Sequence, residues 1–275
     1  MTAFAPVFTA WLDHFFSSYY INRPVNATFI GIHSYDHCLP DYSQQGAHNT
    51  VSEMEELLAR LRELPSEPLT EAQRLDRRLA EGFLKIQLWE YGSRHFHRGN
   101  PCVYSGEAVF GVIALFLRPF APLAQRVEAA IARMDKIPTL LHQGRVNVRE
   151  APLAWTQRAI TECVGALNFF NEGISLLIQE NNLAHTMLRI YADKAKDAFI
   201  EFKQYLESEL IHHTNEEYAC GKEAFGLLLS EGHFIDSDAS AIEVSAQKQL
   251  AEAQAYIETH ASDFSNARAH DHPTA

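Results

Sequence analysis

The stretch TEAQRLDRRLAEGFLKIQLW, residues 70–89, decides the fold class. Within it Leu75, Leu79, Phe83, Ile86 and Trp89 recur every three or four residues, the interval at which side chains share one face of an α-helix. The spacing predicts a helix with these five residues as its buried face. Thr70 followed by Gln73 predicts a capping box at its start, the hydroxyl and the amide covering N–H groups that have no partner within the helix. The same device is expected at Ser52–Glu55, ahead of Leu57, Leu58, Leu61 and Leu64, with Pro65 and Pro68 separating the two helices.

Outward from there the helical period continues. Tyr104 opens an apolar helix running through Phe116, and Ile160, Val164, Leu167, Phe170, Ile174 and Leu177 mark another. A third stripe runs through Met187, Tyr191, Ala195, Ala198, Phe202, Leu206 and Leu210, and a last one begins near Ser237 with Ile242, Ala246, Leu250, Ala253 and Ile257. Strand-like alternation is scarce. The expected fold is all-α: one domain over 1–261 of about eight to ten mostly antiparallel helices, with 35–49 as its longest irregular loop and 262–275 as a polar, flexible tail.

A formal net charge of −12 argues against binding a phosphate backbone, so no nucleic acid partner is expected. Cys38, Cys102, Cys163 and Cys220 stand about 60 residues apart, a spacing that suits neither a zinc ribbon nor a disulfide framework. The N-terminus lacks the basic segment of a secretory signal, and the longest apolar run, Val109 to Leu117, is about half a membrane span. These features lead to the expectation of a soluble cytoplasmic protein with no membrane partner.

Candidate chemistry is thinly spread. His33 and His37 would share a face on a helix, with Asp36 beside them, and could chelate a metal. Gly31 and Pro40 favour a loop there, which removes that enforced spacing. Glu209 and His212 form a Glu-x-x-His, the spacing used in di-metal helical bundles, but such a site needs a second copy. His95 and His97 lie two residues apart and point apart on a helix, as surface or supporting groups. The Asn100-Pro101 segment reads first as a structural corner, yet Trp89, Tyr91, Asn100 and Tyr104 concentrate polar-tipped aromatic and amide groups where a cleft wall can form. The chain carries no phosphate-binding loop and no nucleophile elbow.

Several segments taken together resemble a known family. Pro24, Ala27, Thr28 and Gly31, then Tyr35-Asp36 and Leu39-Pro40-Asp41-Tyr42-Ser43, are similar to its N-terminal pattern. Asn100-Pro101 with Tyr104, Arg133 with Ile137-Pro138, Asn147, Pro152, and Gly221 through Leu228 are similar to its later motifs. The family is the bacterial domain-of-unknown-function group eight-eight-five, whose members look like mostly helical zinc metallopeptidases. In longer relatives a further half carries a His-Glu-rich zinc helix, and Asp271-His272-Pro273-Thr274 resembles the sequence just before it.

The resemblance therefore implies a helical, non-metal half of a split zinc hydrolase acting on amide or peptide bonds of a peptide or small-molecule substrate. It implies zinc on a second polypeptide carrying the metallopeptidase C-terminal half, and no metal or catalytic residue on this chain. Tyr104, then His97, is expected to donate toward a tetrahedral intermediate, with Asn100, Trp89 and Tyr91 in the same wall. Two alternatives stand beside this reading. One is a non-catalytic helical binding scaffold, and the other is a di-metal enzyme built on Glu209 and His212.

Overall fold

A computed structural model describes residues 4–65, 69–181 and 186–262. Pro68, His270, His272, the 271–274 motif and all but the first residue of the expected tail lie outside the described residues. The architecture is all-α, as the periodicity requires. The helices are α1 (Phe4–Asn22), α2 (Pro24–Ile30), α3 (Gln44–Glu63), α4 (Glu71–Gly92), α5 (Cys102–Leu117) and α6 (Leu123–Asn147). They continue with α7 (Leu153–Asn168), α8 (Ile174–Glu180), α9 (Thr186–Ser208), α10 (Gly221–Leu227) and α11 (Ala239–Thr259). The strands among the described residues are two-residue segments, Ala151–Pro152 and Thr214–Asn215, paired in parallel.

The backbone groups into two compact units, Met1–Cys220 and Gly221–Ala275. In the first, α6 packs against α5 and α9, and α7 packs against α5 and α9. Met134, Ile137, Leu140 and Leu141 of α6, Val112 and Leu115 of α5, and Phe199, Phe202 and Leu206 of α9 form the centre of the core. Gly144 lets α6 approach closely, since a Cβ there would lie 2.8 Å from Tyr104 Cγ and 3.1 Å from Phe202 Cε2. Trp11 ties α1 to α3 by donating from Nε1 to the Leu57 carbonyl at 3.1 Å. The second unit contains α10 and α11, the latter capped by Asp238, which accepts from the Ala241 N–H.

Local chemistry explains the helix starts and corrects three expectations. The capping box at Thr70 and Gln73 is present. Ser52 caps nothing, because the helix it was expected to open begins eight residues earlier, where Ser43 accepts from the Gly46 N–H. The expected loop over 35–49 shrinks accordingly: a short 3₁₀ turn covers His33–Tyr35 and α3 begins at Gln44. Gly31, at φ 96°, ends α2 in the left-handed region that suits glycine.

The third correction concerns α4. Leu75, Leu79 and Phe83 are exposed at 56%, 39% and 49%, and the buried stripe is instead Ala80, Leu84, Gln87 and Tyr91. Two adjacent faces of this helix carry apolar side chains at helical spacing, and the larger side chains lie on the outer one.

Candidate functional site

Several of the family-like motifs converge on two places in the first unit. One is a buried clamp around Arg133 of α6, whose side chain is fully buried. Its guanidinium donates to the carbonyls of Cys38, Gly111, Pro24 and Tyr35. It also donates to the Thr28 hydroxyl at 2.7 Å, and Thr28 in turn donates to Asp36 Oδ1 at 2.6 Å. Asp36 Oδ2 meets His33 Nδ1 at 3.0 Å, and the His33 ring stacks on Phe120 at 3.6 Å. Pro24, Thr28 and Tyr35 thus share one partner, Asp36 joins it through Thr28, and the clamp fixes the path from α2 to the start of α3. Burial draws the Arg133 pKa down to about 10, with Asp36 and Glu107 opposing the shift, so it stays charged at neutral pH.

The second place is an open cleft of about 630 Å³. Tyr42 and Ser43 enter it from the segment before α3, His48 from α3, Tyr91 from α4, His97 and Arg98 from the turn after α4, and His142, Gln143 and Asn147 from α6. The α6 amides pin the entering segment. Gln143 accepts from the Tyr42 N–H at 2.9 Å and donates to Asp41 Oδ1 at 2.8 Å. Asn147 donates to the Tyr42 carbonyl at 2.7 Å and to the Tyr104 hydroxyl at 2.8 Å.

Two polar atoms in this cleft wall have no hydrogen-bond partner among the described residues: the Tyr42 hydroxyl and His97 Nδ1. Their rings lie 5.9 Å apart, nearly parallel, and both residues are buried. A sealed polar atom without a partner costs stability unless something satisfies it. Burial, helped by the nearby positive charge of Arg98, pushes the His97 pKa down to about 4, so its imidazole is neutral at physiological pH. Burial raises the Tyr42 pKa, so its phenol stays protonated. Just behind the wall, then, stand a neutral imidazole nitrogen and a protonated phenol, both sealed from solvent and both without a partner among the described residues.

Of the residues expected in the wall, Tyr91 and His97 line the cleft, their rings 5.1 Å apart. His97 is buried rather than at the surface. Tyr104 lies fully buried, with its hydroxyl donating to the His97 carbonyl at 2.6 Å while accepting from Asn147. Its one proton is committed, so it holds the cleft floor. Asn100 accepts from the Cys102 N–H at 3.0 Å in the turn that leads into α5, and Trp89 stacks on His95 at 5.8 Å. Tyr42, His48, His142 and Gln143 were missed as site residues. Tyr42 could have been found, because it stands inside the Asp41-Tyr42-Ser43 motif.

The metal alternatives do not assemble. His37 is exposed, and the 3₁₀ turn at His33–Tyr35 replaces the α-helix that would have aligned it with His33. Glu209 and His212 are both exposed at the end of α9 and the short turn after it. No three His, Cys, Asp or Glu side chains among the described residues are grouped to hold an ion. These residues do not fit a zinc site, and no step proposed below runs through a metal held by them.

An almost wholly helical scaffold carrying a polar cleft wall defines the class of this protein. The chain belongs to the family of bacterial proteins of unknown function DUF885, whose model matches residues 24–272. It also resembles a solved structure from Shewanella oneidensis, described as a candidate lipoprotein of unknown function, at 20% identity with a TM-score of 0.78. That match covers 98% of this chain and 50% of the other, so the chain spans about half the length of its solved relative. No curated protein matches the chain. No helix among the described residues is long and apolar enough to cross a membrane.

Proposed function

We propose that this chain forms one wall of the substrate cleft in a larger zinc metallopeptidase-like hydrolase that cleaves amide or peptide bonds. In this reading the zinc-bearing half lies on a second polypeptide, and this chain recognises and orients the substrate. The observation that carries it is an open cleft of about 630 Å³, lined in part by the motif residues Tyr42, Ser43 and Asn147, with two unpartnered groups, Tyr42 Oη and His97 Nδ1, sealed just behind its wall. A peptide group offers both a donor and an acceptor, which a phenol and a neutral imidazole can meet. The likeness to half of a longer chain supports a second half, and four cysteines without disulfides support a reducing, cytoplasmic setting.

An apolar furrow of about 580 Å³ between α1, α2 and α4, lined by Phe16, Tyr20, Ile30, Leu79 and Phe83, is the kind of surface such a partner would cover. Co-expression with polypeptides carrying a His-Glu-rich zinc helix tests the reading. The expected result is a one-to-one heteromer holding about one zinc, with peptidase activity that falls in His97→Ala while the zinc content stays unchanged. A chain that joins no such partner, or a heteromer whose turnover ignores both His97→Ala and Tyr42→Phe, overturns it.

A further inference from the structure

A second concavity, lined by none of the residues that line the 630 Å³ cleft, lies between α2 and α5. It is a groove of about 390 Å³, within the range of small-ligand pockets. Val25, Phe29, Phe110, Ile113 and Leu117 give it apolar walls, and Phe29, Phe110 and Leu117 are exposed at 61%, 55% and 61%. Two ionisable side chains stand among them: the Cys102 thiol, which burial pushes up to about 12 and so keeps neutral, and the carboxyl of Glu107 of α5. Its Oε2 is sealed from solvent and has no hydrogen-bond partner among the described residues.

The charge arrangement around Glu107 makes it unusual. Two buried arginines act on it, Arg23 and Arg133. Each already has another carboxylate: Arg23 donates to Glu90 at 2.7 Å, and Arg133 reaches Asp36 through Thr28. Glu107 is the carboxyl left over. A buried carboxyl without a hydrogen-bond partner is costly to keep and suits a site that supplies its partner from outside.

We propose that this groove binds an apolar primary ammonium compound, its alkyl or aryl part against Phe29, Phe110 and Ile113 and its charged nitrogen at the Glu107 carboxyl. The walls select the hydrocarbon and the single carboxyl selects the cation. A neutral molecule of the same shape gains only the first of these contacts.

Burial pushes the Glu107 pKa up to about 7, with Arg23 and Arg133 pulling the other way. Tyr19, Tyr42 and Tyr91 also act on this carboxyl or are acted on by it, and burial holds all three phenols protonated through this range. Binding an ammonium ion therefore requires loss of one proton from Glu107 when the groove is filled near or below neutrality.

The probes are phenethylammonium and its neutral counterpart 2-phenylethanol, titrated calorimetrically into the full chain. At pH 8 the ammonium compound is expected to bind about tenfold or more tighter than the alcohol. Its affinity should fall about tenfold between pH 8 and pH 6 as the carboxyl takes up its proton, while that of the alcohol stays level. Glu107→Gln should bring the ammonium compound down to the level of the alcohol. Equal affinity for the two probes, no binding of either, or full ammonium binding by a folded Glu107→Gln chain overturns the proposal. The comparison of probes on the unmodified chain stands even where the variant fails to fold. None of these outcomes depends on the hydrolase reading.

Discussion

The guanidinium of Arg133 and the hydroxyl of Thr28 meet at 2.7 Å in the core, joining α6 to α2 across 105 residues of sequence. Through that contact one cation satisfies a hydroxyl and four carbonyls, and it faces the Asp36 carboxylate beyond Thr28. Replacing Arg133 by Leu would leave those acceptors unpaired and Asp36 uncompensated. A loss of about 3–5 kcal/mol is expected. Lysine should not restore it, because an ammonium cannot reproduce the planar fork. Urea unfolding of both variants measures this, and a Leu variant within about 0.5 kcal/mol of the parent would show the clamp to be dispensable.

Tyr104 and Asn147 together form the floor of the cleft. Tyr104→Phe removes the donor to the His97 carbonyl and the acceptor for Asn147, with an expected cost of about 1–3 kcal/mol. Asn147→Ala should cost a similar amount, and the double variant less than their sum, because the two residues share a bond. A strictly additive double-mutant cycle would mean that the two act independently.

His97 and Glu107 pull stability in opposite directions over nearly the same pH range. The folded pKa of His97 is lowered from 6.5 to about 4, so its contribution is complete above about 6.5 and is lost as pH falls toward 4. That of Glu107 is raised from 4.5 to about 7, so its contribution is complete below about 4.5 and is lost as pH rises through 7. Each shift corresponds to about 3 kcal/mol, and in the parent the two trends offset one another. Glu107→Gln should expose the acid-side loss, and His97→Asn the loss toward neutrality. Chemical denaturation at a series of pH values reads both slopes, and parallel profiles for the two variants would contradict the assignment.

Helix α4 shows what was legible in the sequence and what was not. Its existence and its capping box follow from residues 70–89, because period and cap are local properties. The identity of its buried face does not, because Leu75-Leu79-Phe83 and Ala80-Leu84-Tyr91 both obey the period and only packing chooses between them. Leu84→Ala should therefore cost about 2–5 kcal/mol, whereas Leu75→Ala should stay within about 0.5 kcal/mol. A large loss at Leu75 would restore the face expected from the sequence.

The cleft was legible in the same partial way. Tyr91, His97 and Tyr104 were singled out from their chemistry, yet only the first two face the open space. Gln143 and His142 belong to no motif, and they join Tyr42 only because α6 runs past the segment before α3. A hydroxyl's commitment to a particular carbonyl, as at Tyr104, is a tertiary fact that no spacing encodes.

Gly144 tests how firmly that floor is held. A Cβ there would press on the Tyr104 ring, which is fixed at its hydroxyl by His97 and Asn147, and on the buried Phe202 ring. Neither ring can withdraw cheaply, so overpacking of about 1–3 kcal/mol should outweigh the roughly 1 kcal/mol that alanine gains over glycine in a helix. Gly165, in α7, has nothing within 4 Å of the equivalent position. Gly165→Ala should thus stabilise the chain by about 0.4–1 kcal/mol. Paired thermal unfolding of the two variants separates close packing from helix propensity: opposite signs are expected, and stabilisation by both would mean that the Tyr104 ring is free to move.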